Sequence, residues 1–180
     1  MRVIAGMLKG RRLEAPGWSG LRPTGDKLRE TLFNILAPRI EGACVLDGFA
    51  GTGAVGIEAL SRGAAHVTFV DADRRAVALI GRNLSRCAID GAFSVHHGDV
   101  AAVLRRLPAE DDFDLVVLDP PYDAPDVTGV LDAAAARLRP DGLVVLERAT
   151  RREPDIPASL HRVRDVASGD SALTFFERGI

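Results

Sequence analysis

From about residue 43 onward, short unbroken apolar runs alternate with stretches whose apolar positions recur every three or four residues. Ala43-Cys44-Val45-Leu46 has the continuous apolar character of a strand covered on both faces. A glycine-rich turn follows it, and then a helix predicted over residues 55–62. Residues 66–70 predict a second strand, and the spacing of Val77, Ile80 and Leu84 predicts a helix over 73–87. A third strand over 93–97 leads into a short helix containing Val103, Leu104 and Leu107. Residues 115–118 are a fourth strand of consecutive apolar residues. A helix over 127–138 is then halted by Pro140-Asp141-Gly142, and 143–146 form a fifth strand. The rhythm changes at the end, where strands over 160–166 and 172–177 flank Ser168-Gly169-Asp170-Ser171, a hairpin turn.

Strands alternating with helices imply right-handed crossovers and a doubly wound, mostly parallel α/β sheet, here of seven strands. The C-terminal hairpin is expected to add an antiparallel strand at one edge. Ligands of such sheets bind beyond the carboxyl ends of the strands, at the point where strand order reverses. The residues that end each strand are therefore where chemistry is to be sought.

Composition narrows the class. The chain has 180 residues, enough for one domain with a substantial core, and 47% of them are apolar. No apolar run is long enough to span a bilayer, and the first residues lack the layout of a secretory signal. Cys44 and Cys87 give no disulfide framework, and the four histidines show no zinc spacing. A cytoplasmic protein without a structural metal is expected. The net charge of −2 hides an asymmetry, because residues 1–30 carry seven bases against three acids. That segment is +4 and the remainder −6, which suggests a polyanion bound locally by the N-terminal arm. Charge alone slightly favours the plainer reading, a solvated charged surface.

Asp47-Gly48-Phe49-Ala50-Gly51-Thr52-Gly53-Ala54-Val55-Gly56 follows the first strand and opens a helix. Gly51, Gly53 and Gly56 match G-x-G-x-x-G, with Asp71 twenty residues after Gly51, so a dinucleotide-binding protein is one reading. Asp47 argues against it. A dinucleotide brings an anionic pyrophosphate to the helix N-terminus, where a neighbouring carboxylate repels it. S-adenosylmethionine carries an ammonium and a sulfonium and no phosphate, so an acid there attracts it. Asp71 suits the two ribose hydroxyls and Asp99 the adenine amino group, although Asp after a strand is also a common helix cap.

The fourth strand runs into Asp119-Pro120-Pro121-Tyr122. Two prolines make the corner stiff and end the strand. The Asp119 carboxylate and the Pro120 carbonyl are two acceptors, suited to gripping both hydrogens of an exocyclic –NH₂ on a nucleic-acid base. Such an amine is a weak nucleophile because its lone pair is delocalised into the ring. Bending its nitrogen toward tetrahedral geometry localises that pair, and positioning then supplies most of the catalysis. Tyr122, the only tyrosine, offers a face for stacking the base.

With both motifs in view, the chain resembles the RsmD-type 16S ribosomal RNA guanine-N2 methyltransferases, a family within the Rossmann-like class I methyltransferases. The likeness covers essentially all of it. It is carried by Val3-Ile4-Ala5-Gly6, Gly10-Arg11-Arg12-Leu13, Leu21-Arg22-Pro23-Thr24, residues 26–34, the 47–56 loop, residues 58–64 and the 119–122 corner. The corner is shared with adenine-N6 enzymes and names a chemistry; the N-terminal stretches point to the ribosomal guanine. The resemblance implies a S-adenosyl-L-methionine site lined by Asp47, Phe49, Ala50, Gly51, Thr52, Gly53, Asp71, Asp99 and Val100. Arg22 and Thr24 are expected near the methionine end of that cofactor. It further implies guanine handling by Asp119, Pro120, Pro121 and Tyr122, with Arg2, Lys9, Arg11, Arg12 and Arg29 on RNA phosphate. Residues 1–40 would form a basic arm and lead-in helix over the pocket, and 41–180 the methyltransferase domain. The implied partner is 16S rRNA within the assembling small subunit. Two departures stand out: Gly48 replaces a larger apolar residue, and Asp71 a Glu. Methylation of adenine-N6 on RNA or DNA, and a non-catalytic nucleic-acid-binding module, are the competing readings.

Overall fold

The computed structural model describes residues 1–18, 25–108 and 112–179. The elements are α1 (Asp26–Ile40), β1 (Cys44–Gly48), α2 (Ala54–Ser61), β2 (His66–Asp71), α3 (Arg74–Arg86) and β3 (Phe93–His97). They continue with α4 (Val100–Arg106), β4 (Phe113–Leu118), α5 (Val127–Ala136), β5 (Leu138–Ala149), β6 (Leu160–Ser168) and β7 (Ser171–Arg178). All seven strands form one sheet in the order β3-β2-β1-β4-β5-β7-β6. β1 pairs in parallel with both β2 and β4, so the order reverses there and the carboxyl ends of β1 and β4 open a crevice.

The local reasons are visible in the residues. Val45, Leu46, Val116, Val117 and Leu118 are buried because helices cover both sheet faces. α3 buries Ala76, Leu79, Ile80, Asn83 and Leu84, one stripe at helical spacing, and starts where the Asp73 side chain accepts the Arg75 N–H. Gly56 lets α2 lie close on β2: a Cβ there would come within 2.2 Å of the Phe69 ring. Gly48 is explained similarly, since a Cβ would stand 2.7 Å from Leu118 and 3.2 Å from Val100, which already fill that space.

The C-terminal hairpin lies at one edge of the sheet as expected, with β7 inserted between β5 and β6, antiparallel to both, and β6 outermost. One boundary needs correction. The fifth strand begins earlier than the Pro-Asp-Gly signal suggests. α5 stops at Ala136, and Leu138 already pairs with Phe113. An irregularity between Phe113 and Leu115 absorbs 139–142 before pairing resumes at Leu143, with Asp141 at φ 63°. A bulge tolerates Pro140 because the extra residues stay out of the ladder.

Residues 1–13 fold back on themselves, with an Arg2–Arg12 bridge, and dock on α2. Val3 and Leu13 join Leu28, Leu32, Phe33, Leu36 and Ile40 in the same apolar cluster as Val45, Val67 and Val117. Arm, α1 and sheet thus share one core. No helix among the described residues is long and apolar enough to cross a membrane.

Candidate active site

Three carboxylates stand at the carboxyl ends of β1, β2 and β4. Asp47 is 3% exposed, and its Oδ2 accepts the Gly56 N–H at 2.8 Å. A carboxylate of the chain itself therefore already occupies the positive end of α2, where a pyrophosphate would sit. Burial pushes the Asp47 carboxyl up to about 8, against the pull of the Gly56 hydrogen bond; the charges of Asp119 and Asp71 add to the rise. The three acids are therefore near enough to feel one another.

Asp71 anchors the glycine turn: its Oδ2 accepts from Gly51 N–H and its Oδ1 from Asp73 N–H, both at 2.8 Å. Each oxygen retains a lone pair for a further donor. The turn itself is forced. Phe49, Gly51 and Gly53 have φ of 59°, 55° and 76°, so the chain reverses within five residues. Phe49 takes that conformation despite its side chain, a local strain of the kind that collects at functional sites. Ala50 donates to the Val70 carbonyl at 3.0 Å and Gly53 to Ala50 at 2.7 Å, which holds the loop against β2. Asp99 is exposed and caps α4 by accepting the Ala102 N–H at 2.8 Å, and Val100 is buried behind it.

The 119–122 corner begins where the Asp119 N–H donates to the Gly48 carbonyl at 3.3 Å, across the β1–β4 crevice. Pro120 is buried, Asp119 half-buried and Pro121 exposed. Tyr122 is 43% exposed. Its hydroxyl lies 3.4 Å from Ser171 Oγ on β7, and its carbonyl accepts from Arg152 Nη1. Among the described residues no group of three or more His, Cys, Asp or Glu is placed to hold a metal ion.

The arm is fixed by side chains that sequence reasoning missed. Glu58 on α2, fully buried, accepts the backbone N–H groups of Ile4 at 2.7 Å and Ala5 at 2.9 Å, and pairs with Arg62. Ser61 Oγ donates to the Ala5 carbonyl at 2.5 Å and accepts the Leu8 N–H at 2.9 Å. Asn83 joins the arm to the glycine turn: it accepts from Glu14 N–H and donates to the carbonyls of Glu14 and Thr52. The available signal was a polar residue inside an apolar stripe, with Asn83 between Ile80 and Leu84. Met1 reaches Thr52 as well, at 3.7 Å from Sδ to Oγ1, so the start of the chain sits beside the turn.

Arg2, Lys9, Arg11 and Arg12 are exposed on the arm. Arg29 is not, which corrects its expected place on RNA. Its side chain is 0% exposed, and Nη2 donates to the Arg2 carbonyl at 2.6 Å and to Asp26 at 2.9 Å. Burial holds its guanidinium below the ordinary value, and its task is to tie the arm to α1. Arg22 and Thr24 lie outside the described residues.

An acid-rimmed glycine turn at the switch point of this sheet, followed by a rigid acceptor corner on the next strand, defines the Rossmann-like class I methyltransferase fold. Comparison with known proteins agrees. The family described as conserved hypothetical protein 95 matches residues 1–177. Ribosomal RNA small subunit methyltransferase D of Escherichia coli K12 is 34% identical over 185 residues, covering 99% of this chain and 90% of that protein. Its namesake in Haemophilus influenzae is 42% identical over 124 residues, 68% of this chain and 64% of that one. Among solved structures, Escherichia coli yhhF superposes with a TM-score of 0.85 at 34% identity, covering 99% of this chain and 98% of that one. The chain belongs to the ribosomal RNA small subunit methyltransferase D family.

Proposed function

We propose that this protein transfers a methyl group from S-adenosylmethionine to the exocyclic N2 of a guanine in 16S rRNA, acting in the cytoplasm on the assembling small subunit. The observation that carries the reading is the convergence of Asp47, Asp71 and Asp119 at one crevice, the last on a proline-stiffened corner. Buried Asp47 and its neighbour Asp71 fit a ligand bearing an ammonium and a sulfonium and do not fit a dinucleotide, while Asp119 serves the amine to be methylated. When bound, that cofactor supplies a methyl carbon already activated for displacement.

The residues of the chain do the rest. Asp47 and the glycine turn hold the cationic and carboxylate ends of the methionine moiety, the latter through backbone N–H groups. Asp71 has acceptor capacity for ribose hydroxyls. Asp99 and Val100, at the mouth of α4, border the adenine side. At the corner, Asp119 and the Pro120 carbonyl take the two amine hydrogens and aim the nitrogen lone pair. Asp119 is the group positioned to receive the proton released on methylation. Tyr122, exposed and steadied through Ser171 and Arg152, stacks a base that has been swung out of its helix. Arg2, Lys9, Arg11 and Arg12 contact phosphate from the arm; Arg22 and Thr24 belong to the cofactor side of the proposal.

The test is label transfer from S-adenosylmethionine to small subunits lacking the modification, followed by nucleoside analysis. N2-methylguanosine is the expected product. N6-methyladenosine would reassign the base, and binding without transfer would make the chain a non-catalytic module.

A further inference from the structure

The end of β5 holds a device that these roles use only through the contact of Arg152 with Tyr122. Arg148, whose side chain is 9% exposed, gathers the chain around its guanidinium. Its Nη1 donates to the carbonyls of Ala149 and Thr150 at 3.3 Å and of Arg152 at 3.0 Å, and its Nε to Thr174 Oγ1 at 2.8 Å. Its Nη2 pairs with Glu153 at 3.0 Å and Asp165 at 3.3 Å. Thr150 N–H donates to the Asp170 carbonyl at 2.9 Å, which ties the loop to the β6–β7 turn.

Residues 149–153 are thus wound about one arginine, with carbonyls turned inward and the side chains of Arg151 and Arg152 exposed at the rim. The charge of Arg148 is answered by Glu153 and Asp165. Both acids also pair with Arg162, and Arg151 and Arg152 add two further exposed bases at the rim, with Asp170 the acid beside Arg151. Arg152 already touches the corner through the Tyr122 carbonyl, a contact that uses one of its five N–H donors. A shallow hollow lined by Ala149, Thr150, Arg151 and Asp170 opens beside it.

Electrostatics gives this loop a task. The acids at the ends of β1, β2 and β4 repel a nucleic-acid backbone from the cofactor side. A base delivered to Asp119 brings its own phosphodiester with it, and cations beside the corner on the β5 side would offset that repulsion where the flipped nucleotide enters. We propose that Arg151 and Arg152 form a second phosphate-binding station for the substrate strand, beside the 119–122 corner that Arg152 touches. The proposal rests on the nucleic-acid methyltransferase reading above. Arg148 is the positioning residue that sets the loop, and the station grips the flipped nucleotide's backbone without reading its base.

The experiment compares wild type with Arg151→Ala, Arg151→Ala/Arg152→Ala and Arg151→Lys/Arg152→Lys. Each is measured for binding to unmodified 16S rRNA across a salt series, for KM and kcat on unmodified small subunits, and for S-adenosylmethionine affinity. In the double alanine variant, KM is expected to rise roughly tenfold or more, the loss of charge-assisted hydrogen bonds, with unchanged cofactor affinity. The slope of log K against log salt should flatten by about 0.7–0.9 per lost phosphate contact. Arg151→Ala, away from the corner, should show about half the slope change with kcat preserved. The lysine pair should recover most of the binding, because a phosphate accepts a point charge. Unchanged KM and slope would overturn the station. A raised KM with an unchanged salt slope would point to a ribosomal protein surface and overturn it equally. RNA binding is read without turnover, so absence of label transfer by wild type counts against the activity and not against the station.

Discussion

The rim of the sheet has two halves built on different principles. At the ends of β1, β2 and β3 the functional groups are acids that also do local structural work. Asp47 caps the start of α2, Asp71 pins Gly51 and Asp73, and Asp99 caps α4. At the ends of β4 and β5 the groups are held by contacts between the 119–122 corner, the 149–153 loop and the β6–β7 hairpin: Tyr122 by Ser171 and Arg152, and the loop by Thr174, Asp165 and Asp170. On the proposed reading, the first half is the socket that receives the cationic cofactor and the second receives the polyanion. The contrast teaches that one protein can hold a positive ligand and a negative one side by side only by dividing the rim between them.

The sharpest way to break this division is Asp119→Ala. Turnover should fall on the order of 10³-fold, the scale for removing one preorganised group at a transition state. Cofactor affinity measured by calorimetry should change little; an equal loss of affinity would assign Asp119 to the socket.

Asp47→Asn comes next. It keeps an acceptor for the Gly56 N–H but removes the charge, so cofactor affinity should drop about 10- to 100-fold. The pH dependence follows from the raised carboxyl. Free folded protein holds the Asp47 proton up to about 8, whereas the unfolded chain releases it near 3.8. Stability from this group is therefore full below about pH 4 and is lost as pH rises toward 8. A cationic ligand favours the ionised form, so affinity should increase with pH up to about 8 and then level, with proton release on binding. Asn should abolish that pH trend and raise the Tm of the ligand-free protein at neutral pH. A wild-type affinity flat from pH 6 to 9 would sink the idea.

Glu58→Ala should unfasten the arm, since two backbone N–H groups and Arg62 lose one acceptor, at a cost of about 2–4 kcal/mol. Chemical denaturation measures the loss. Trp18 fluorescence should report it too, because Arg75 stacks on the Trp18 ring at 5.0 Å. The smallest effect belongs to the arm's exposed bases. Neutralising Arg2, Arg11 and Arg12 should flatten the salt slope of RNA binding with Tm nearly unchanged, while Arg29→Ala should lower Tm instead. A loss of Tm in the triple variant would move those bases from the interface to the scaffold.

Much of the socket was legible because its chemistry is local. Asp47, the glycines and Gly56 sit within ten residues, and the strain they relieve or impose is a property of that stretch. The strands and α3 were legible for the same reason, since apolar spacing declares a covered face. The boundary of β5 was not, because Pro140-Asp141-Gly142 has the local form of a turn and only the pairing of Leu138 with Phe113 makes it a bulge. Arg29 was misplaced by the same blindness: a base in a basic segment looks like a phosphate ligand until packing buries it.

By itself, then, the sequence determined the alternation of strands and helices, the acid-rimmed glycine turn and the stiff acceptor corner, all of which are written in neighbouring residues. Tertiary structure alone decided that β7 slips between β5 and β6, that Glu58 and Asn83 clasp the arm, and that Arg148 winds a loop beside Tyr122. Those outcomes depend on which distant backbone groups need a partner once the core closes, and a buried polar group takes whatever partner the packing brings to it.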